Sequence, residues 1–542
     1  MLLAEYRRHM SDRTPGGLDR VRTAELIGAL SLATDLGIGV PLEYGLHSTL
    51  IAMRLGERLG IDSETASQTY FGCLLFYVGC TAGAEVEARI FGEDHALTTY
   101  GTPSRFGSRP EMTAGLLRAV APPGKGPLSR ARQLGRGLPM LAKAFGEQVA
   151  ALCEVAQMLT DRLGLPPATG ALFAHSAERW DGHGQPGRSR SDEIPHAMRI
   201  VHVARDAAFQ RMLGGTESAA RIVRSRAGRA FDPDIAKELA DGAAEIMAVE
   251  EDASAWDEVL ACEPTPQLTL EGEAIDQALA AVGDFTDLAS PYLVGHSRGV
   301  AELASAAARV WGNDVADLLA IRRAALVHDI GRVAVPVRIW QKAGPLTPDD
   351  WEKVRLHAYL TERIFAPSSF LAALSSPATF HHERLDGSGY HRGITAAMLP
   401  RAARLLAAAD AYHAMTEARP HRPALSPEGA AEELIGEGRA GRLDPDAVTA
   451  VVDASGQPPP RIPPSTGLTS RETEVVGLLA RGLQTKQIAR ALGISVKTAD
   501  RHIQNAYAKI GVSTRAAATL FAMEHGLVLW GELPIPNSTA RP

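Results

Sequence analysis

From Ala24 to about Glu250 the apolar residues recur at helical spacing, Ala, Leu and Arg abound, and β-branched runs at period two are few. The first half of the chain is therefore expected to be helical throughout. The second half continues the pattern. A helix predicted to begin at His296 carries Val300, Leu303, Ala304, Ala307 and Val310 on one stripe, with His296 on that stripe one turn earlier. Thr347-Pro348-Asp349-Asp350 reads as an N-cap, a proline at the first helical position and an acid three residues on; the helix it opens places His357 three residues after Val354, on the inward side. A further helix, Arg401 to Met415, carries Asp410 four residues after Leu406. Near the C-terminus, Thr469 and Glu472 have the form of a capping box, and the helix they open runs to about Arg481. A short helix, Thr485 to Leu492, ends at Gly493, and Ser495 caps a third, Val496 to Lys509. The expected fold class is all-α.

The two halves share landmarks in the same order. Leu46-His47-Ser48 parallels Gly295-His296-Ser297, Leu75-Phe76-Tyr77-Val78-Gly79 parallels Val327-His328-Asp329-Ile330-Gly331, Glu178 to Gly184 parallels Glu383 to Gly389, and Asp232-Pro233-Asp234 parallels Asp444-Pro445-Asp446. Such ordered similarity implies an internal duplication. In the first copy, residues 20–250, the chemistry is gone: Phe76 and Tyr77 stand opposite His328 and Asp329, Ser176 and Ala177 opposite His381 and His382, and Arg205 opposite Asp410. Glu43 and His47 remain one turn apart and read as a polar pair. A sensor pocket or a dimerisation surface is the expected role of this copy. Glu251 to Gly272, with Pro264 and Pro266, reads as the connector to a second copy over residues 273–452.

Composition changes the picture in two places. A net charge of -7 argues against a globally basic nucleic-acid coat, yet Thr466 to Gly526 holds eight Lys and Arg against four acids, a local +4. Five prolines between Asp453 and Ser465 predict a semi-rigid spacer over 453–466, beyond which residues 467–530 move as a separate module. Cys73, Cys80, Cys153 and Cys262 have no CxxC spacing and read as reduced thiols of a cytoplasmic protein. The N-terminus lacks a signal-peptide core, so export is not expected. The longest uncharged stretch, Thr65 to Ala84, is polar in its first turn and broken by Gly72 and Gly79; it is expected to be a buried helix and not a membrane span.

The chemistry concentrates in the second copy. His296, His328, Asp329, His357, His381, His382 and Asp410 are imidazoles and carboxylates whose joint burial would be costly without a cation, and together they suit a transition ion such as iron, manganese or zinc better than calcium. In the last module, Lys497, Thr498, Arg501, Asn505 and Lys509 lie off the apolar stripe Val496, Ala499, Ile503, Ala506 and Ile510. A basic outward face on the second of two helices joined by a glycine-containing turn is a helix-turn-helix pattern, suited to phosphates and base edges of double-stranded DNA.

Residues 273–452 resemble the HD superfamily of metal phosphohydrolases, in its HD-GYP branch, through His328-Asp329, His357, His381-His382, Asp386-Gly-Ser-Gly-Tyr390 and Asp410. The resemblance implies a two-metal phosphodiesterase for cyclic di-GMP or another cyclic dinucleotide, with two divalent ions, iron or manganese. His296, His328, Asp329 and Asp410 would hold one ion, and Asp329 would bridge to a second held by His357, His381 and His382. Arg332 stands where that family has a lysine and would clamp phosphate oxygens; Gly389 and Tyr390 would shape the substrate pocket. His391 replaces the family's proline, and Tyr292 stands where some members have a glutamate for a third ion, so no third ion is expected. Leu468 to Gly526 is similar to the LuxR-type helix-turn-helix family, which adds His502 to the DNA-binding set and implies a homodimer formed through Ser513 to Glu524. The whole reads as a transcription regulator whose helical body binds or hydrolyses a nucleotide; the alternatives are a cyclic di-GMP phosphodiesterase that its DNA-binding module only localises, or a non-catalytic ligand sensor.

Overall fold

Segments rich in Ala, Leu and Arg form helices along nearly the whole chain. The computed structural model describes residues 18–79, 90–91, 95–124, 126–249, 254–456 and 466–528. Among them the only strands are Arg20–Arg22 and Thr269–Glu271, in agreement with the all-α expectation, and no helix is long and apolar enough to cross a membrane. Cys80, residues 80–84 of the uncharged stretch and most of the Pro-rich spacer lie outside the described residues; Cys73, Cys153 and Cys262 are free thiols. The chain divides into two compact units, one of Arg22–Thr269, the other of Leu270 onward together with the N-terminal residues to Val21.

The first unit contains α1 (Thr23–Ile38), α2 (Tyr44–Leu59), α3 (Ser63–Leu74), α4 (Arg109–Val120), α5 (Pro127–Arg162), α6 (His196–Arg226, bent at Gly215), α7 (Pro233–Asp241) and α8 (Ala255–Ala261). Ile51 and Leu55 of α2 pack with Ile200, Val201 and Phe209 of α6 and with Leu239 of α7 into its core. The stretch expected to be a connector, Glu251 to Gly272, instead carries α8. Trp256 is buried against Gly28 of α1, and Val259 O accepts from the Tyr70 hydroxyl at 3.0 Å, so burial of one aromatic ring outweighs the local turn signals.

The second unit contains α9 (Glu273–Asp287), α10 (His296–Val310), α11 (Val315–Val327), α12 (Pro348–Phe365), α13 (Ser369–Thr379), α14 (Arg401–Met415), α15 (Pro427–Arg439) and α16 (Pro445–Ser455), then α17 (Ser470–Ala480), α18 (Thr485–Ala491), α19 (Val496–Ile510) and α20 (Arg515–Glu524). The caps are those the sequence indicated: Thr347 with Asp350, Thr469 with Glu472, and Ser495 accepting from Thr498 N. The apolar stripes hold except at their ends. Val310 is 52% and Val496 48% exposed, because the last and first residues of α10 and α19 project past the surfaces they pack on. The module from α17 to α20 is also not free of the rest of its unit. Val294 packs against Val476, Ala480, Ala506 and Ala522, and a Cβ on Gly482 would meet the Pro291 ring at 2.8 Å.

The two units repeat the same local devices. Asp35 accepts from Gly45 N at 3.0 Å, and Asp287 from Ser297 N at 2.9 Å. α2 and α10 each follow a residue at positive φ, Glu43 (74°) and Gly295 (81°), and α3 and α11 are capped by Asp62 and Asp314. These contacts correct the register expected from Leu46-His47-Ser48 by three residues: Tyr44, not His47, stands opposite His296. Further on, Arg199 pairs with Asp232 at 2.6 Å and Arg404 with Asp444 at 3.0 Å. A Cβ on Gly79 would lie 2.3 Å from Leu152 O, as one on Gly331 would lie 2.1 Å from His357 O. The same close approach thus sets Leu152 opposite His357.

Candidate metal centre

His328 and Asp329 follow the end of α11, where the chain tightens into a 3-10 turn over Ile330–Ala334. That turn lies directly on α12, a distance only glycine at 331 permits. Thr361 of α12 fastens it, accepting from Gly331 N at 3.1 Å with its hydroxyl 3.2 Å from the His328 carbonyl. His357 comes from α12 itself, His296 from the first turn of α10, His381 and His382 from the segment after α13, and Asp410 from α14.

Four of the five imidazoles are held by Nδ1. His328 donates to Ala325 O (2.7 Å), His381 to Ala378 O (2.6 Å) and His357 to Val354 O, each three residues back, while His296 donates to the Glu417 carboxylate at 3.1 Å. A ring protonated at Nδ1 offers Nε2 as a lone pair, and these four atoms converge. Asp329 Oδ1 is 3.2 Å from His357 Nε2 and 3.4 Å from His381 Nε2; its Oδ2 is 3.0 Å from His328 Nε2 and 3.5 Å from His296 Nε2. Asp410 Oδ1 is 3.2 Å from His296 Nε2 and 3.7 Å from His328 Nε2, and its Oδ2 is 3.9 Å from His382 Nδ1. One carboxylate thus faces two ligand sets, one on each oxygen. Within each set, Asp329, His357, His381 and His382 or His296, His328 and Asp410, the ligand atoms lie within 4.8 Å of one another.

A cation fits this arrangement and a hydrogen-bond network does not. His357 Nε2 and His381 Nε2 face each other at 3.4 Å with both ring protons already placed on Nδ1. Among the described residues, Asp329 Oδ1, Asp410 Oδ1 and the Nε2 atoms of His296 and His328 are buried without a hydrogen-bond partner. Such groups cost on the order of several kcal/mol unless a cation joins them. The electrostatics agree. Burial opposes a charge on His328, yet the Asp329 carboxylate beside it lifts the ring to about 9, and Glu417, Asp329 and Asp410 hold His296 well above its ordinary value despite the same burial. The carboxylates draw positive charge onto these nitrogens, where a proton and a metal ion compete. Burial pushes His381 down to about 4, and burial with the neighbouring His381 and His357 keeps His382 well below the usual range, so both are neutral ligands.

Arg332 is buried with Nη1 2.6 Å from Asp329 Oδ2 and its guanidinium over the Trp340 ring at 5.4 Å. Tyr390 stacks on His382 at 4.6 Å, which brings the Gly389-Tyr390 loop to the site, while His391 turns away to Glu362 at 3.5 Å. Sequence reasoning missed two residues. His413 and Glu417 join His296 in a third group able to hold an ion, His413 Nδ1 lying 3.1 Å from Glu417 Oε1; Arg419 holds the other Glu417 oxygen at 2.6 Å. Their signal was the helical face of Asp410 read three and seven residues further.

In the C-terminal module, Ala499, Ile503 and Ala506 are buried, Lys497, Thr498, Arg501 and Asn505 are exposed, and His502 is half-buried. Lys509 is exposed too, but its Nζ is paired with Glu472 at 2.6 Å, which ties the end of α19 to the cap of α17.

Residues 282–447 match the HD domain family, and residues 466–522 match the bacterial regulatory proteins of the luxR family. Among curated relatives, a 3'3'-cGAMP-specific phosphodiesterase 3 of Vibrio cholerae is 27% identical over 80% of this chain and 94% of its own length. A cyclic di-GMP phosphodiesterase of Thermotoga maritima is 35% identical over 29% of this chain and 42% of its own. Among solved structures, a cyclic GMP-AMP-specific phosphodiesterase of Vibrio cholerae aligns over 81% of this chain and 99% of its own with a TM-score of 0.55 and 22% identity, a likeness of fold.

Proposed function

We propose that this chain, which joins an HD-type metal-dependent phosphohydrolase domain to a LuxR-family DNA-binding domain, hydrolyses a phosphodiester bond of a cyclic dinucleotide and uses the same site to govern its occupancy of DNA. The observation that carries the first part is the split environment of Asp329, with His357 and His381 on one oxygen and His296 and His328 on the other. Two divalent transition ions, iron or manganese, are the cofactors this arrangement suits; when bound they supply Lewis acidity that activates water and neutralises phosphate charge. Asp329 is shared between the two sets, and the Nδ1 anchors keep each ring from turning away. Arg332 keeps a positive charge beside Asp329 within reach of phosphate oxygens. The water oxygen bonds to phosphorus, the opposite P–O ester bond breaks, and the released alkoxide takes up a proton, giving a linear dinucleotide. Tyr390, stacked on His382, offers a ring edge at the mouth of the site for a base or ribose.

The DNA-binding part is supported by the exposed set Lys497, Thr498, Arg501 and Asn505 on α19, with half-buried His502 beside it. α20 is the helix through which a homodimer would form. Regulation is supported by one loop. Pro291 and Val294 pack on the module that carries α17 to α20, and two residues later the same loop ends at His296. A change of coordination at His296 is thereby transmitted to the DNA-binding helices within one unit.

The test is to incubate the purified chain with manganese or ferrous ion and 3',3'-cyclic GMP-AMP or cyclic di-GMP, and to follow DNA binding by polarisation. Metal-dependent conversion of either to its linear form is expected, together with a change in DNA affinity on ligand binding. Full metal loading with neither hydrolysed overturns the enzymatic reading, and DNA affinity indifferent to every ligand and metal overturns the regulatory one. Arg501→Ala is expected to weaken DNA binding by about 1–3 kcal/mol.

A further inference from the structure

In the first unit the residues opposite His296, His328, Asp329 and Asp410 are Tyr44, Phe76, Tyr77 and Arg205, and they have closed on one another. The Arg205 guanidinium lies 5.0 Å from the Tyr44 ring, 4.9 Å from Phe76 and 4.0 Å from Tyr77. A fixed cation therefore occupies the part of this unit that corresponds to an ion site in the other. The aromatic rings serve only the faces of the guanidinium; its N–H donors lie in its plane. Nη1 donates to Cys73 O at 2.8 Å, but Nε and Nη2 have no partner among the described residues, although Arg205 is only 2% exposed. No carboxylate forms an ion pair with it among those residues. Asp35, the carboxylate that acts on it electrostatically, is turned to the backbone N–H of Gly45.

A second guanidinium shares the site. Arg105 is half-buried, its guanidinium lies 5.3 Å from the Phe76 ring and 5.7 Å from Phe106, and its one hydrogen bond among the described residues is a long one, 3.4 Å, to Ser176 O. Ser176 is the residue opposite His381. His202, buried beside Phe76 and Phe106, has its Nε2 without a partner, and burial with the nearby Arg105 pushes the ring down to about 3, so it is neutral. The second unit gathers carboxylates that call for cations; the first gathers two guanidinium groups whose free donors call for an anion. Tyr77 and Arg105 are the half-buried members, so access runs past them.

We propose that the first unit binds a phosphate-type oxyanion between Arg205 and Arg105, with the free Nε and Nη2 of Arg205 as its innermost donors and Tyr77 as its door. A planar fork of donors matches two phosphate oxygens, and two positive charges match the charge of a phosphate group. The choice of phosphate among oxyanions rests on the phosphodiesterase reading of the second unit; the existence of an anion site does not.

The experiment is calorimetric titration of the full chain in the presence of a metal chelator, repeated with Asp329→Ala, so that the second unit's metal chemistry is disabled. Pyrophosphate and 3',3'-cyclic GMP-AMP are the probes. At least one is expected to bind once per chain, with Arg105→Ala and Arg205→Lys each weakening it about tenfold or more, and with helical circular dichroism and melting kept by Arg105→Ala. Binding of pyrophosphate alone assigns the site to a small anion, and binding of the dinucleotide assigns it to a nucleotide phosphate. Absence of binding by both probes at millimolar concentration, or binding untouched by either substitution, overturns the proposal. Metal-dependent hydrolysis by the unmodified chain, measured separately, tells this failure from a failure of the phosphodiesterase reading.

Discussion

The two helical units solve one physical problem in opposite ways. Each has seven corresponding positions along the same helical frame. In one they are His296, His328, Asp329, His357, His381, His382 and Asp410, two carboxylates among five imidazoles; in the other they are Tyr44, Phe76, Tyr77, Leu152, Ser176, Ala177 and Arg205, with Arg205 the one charged side chain among the seven. The surrounding devices are unchanged: Asp35 and Asp287 under the first turn of α2 and α10, Gly79 and Gly331 at the close approach, and the Arg–Asp pairs at 199/232 and 404/444. The helical frame therefore does not depend on the ion. The ion answers the carboxylates placed on that frame; where they are replaced, an arginine in an aromatic cage takes the position of Asp410.

The largest effect that separates the units is expected at Asp329. Asp329→Ala removes the carboxylate that faces both ligand sets, so turnover of a cyclic dinucleotide should fall on the order of 10³-fold or more, with metal content reduced in the same preparation. A variant that keeps its metal and its rate would break the claim that one carboxylate joins two sites. Next is metal removal. An ion present at a hundredfold its dissociation constant stabilises the unit that binds it by about 2.7 kcal/mol, so a chelator should raise hydrogen exchange in α10, α11, α12 and α14 and leave α1, α2 and α6 unchanged. Equal loss of protection in both units would erase the contrast. Smaller again is Glu417→Gln. Glu417 accepts the Nδ1 proton of His296, whereas His328, His357 and His381 each donate theirs to a backbone carbonyl. Loss of that charge should cost about 10- to 100-fold in metal affinity, read by competition with a metal indicator, while Asp329→Ala remains the more severe change.

Why some of this could be read from the chain and some could not follows from how the residues are spaced. His328-Asp329 and His381-His382 are adjacent pairs, and adjacency marks them without any knowledge of the fold. His296, His357 and Asp410 lie on apolar helix faces, where a polar residue needs a reason. His413 and Glu417 had a weaker mark, their spacing of three and seven residues from Asp410; neither adjoins another ligand, and only the fold brings them to His296. The His-Ser pair shared by His47-Ser48 and His296-Ser297 matches the two units three residues out of register. The backbone carries the true register through a positive φ that one unit gives to Gly295 and the other to Glu43, a residue type that does not advertise it. The association of α17 to α20 with the loop before His296 was hidden because the contact is made by single apolar residues, Pro291 and Val294, against small ones.

The weakest expected effect tests the shared frame instead of the differing sites. Asp35 and Asp287 hold corresponding positions, and burial raises both carboxyls to about 7. In the unfolded chain an aspartate titrates near 3.8. The protonated carboxyl thus contributes stability that is complete below the unfolded value and is lost as pH rises through about 7, because the ionised form is poorly tolerated where it is buried. The groups facing Asp35 are the N–H donors of Tyr44 and Gly45, the Arg205 guanidinium and the Glu43 carboxylate. Asn at this position keeps an acceptor for Gly45 N and cannot ionise. Asp35→Asn should therefore be more stable than the unmodified chain at pH 8 than it is at pH 5, with the difference growing by about 1–2 kcal/mol across that interval, less than the full linkage because Asn adds an amide that needs its own partner. Urea unfolding followed by exchange in α1 and α2 reads this directly. Parallel pH profiles for the two proteins would mean that the Asp35 carboxyl is ionised throughout, and that Arg205 is its counterion after all.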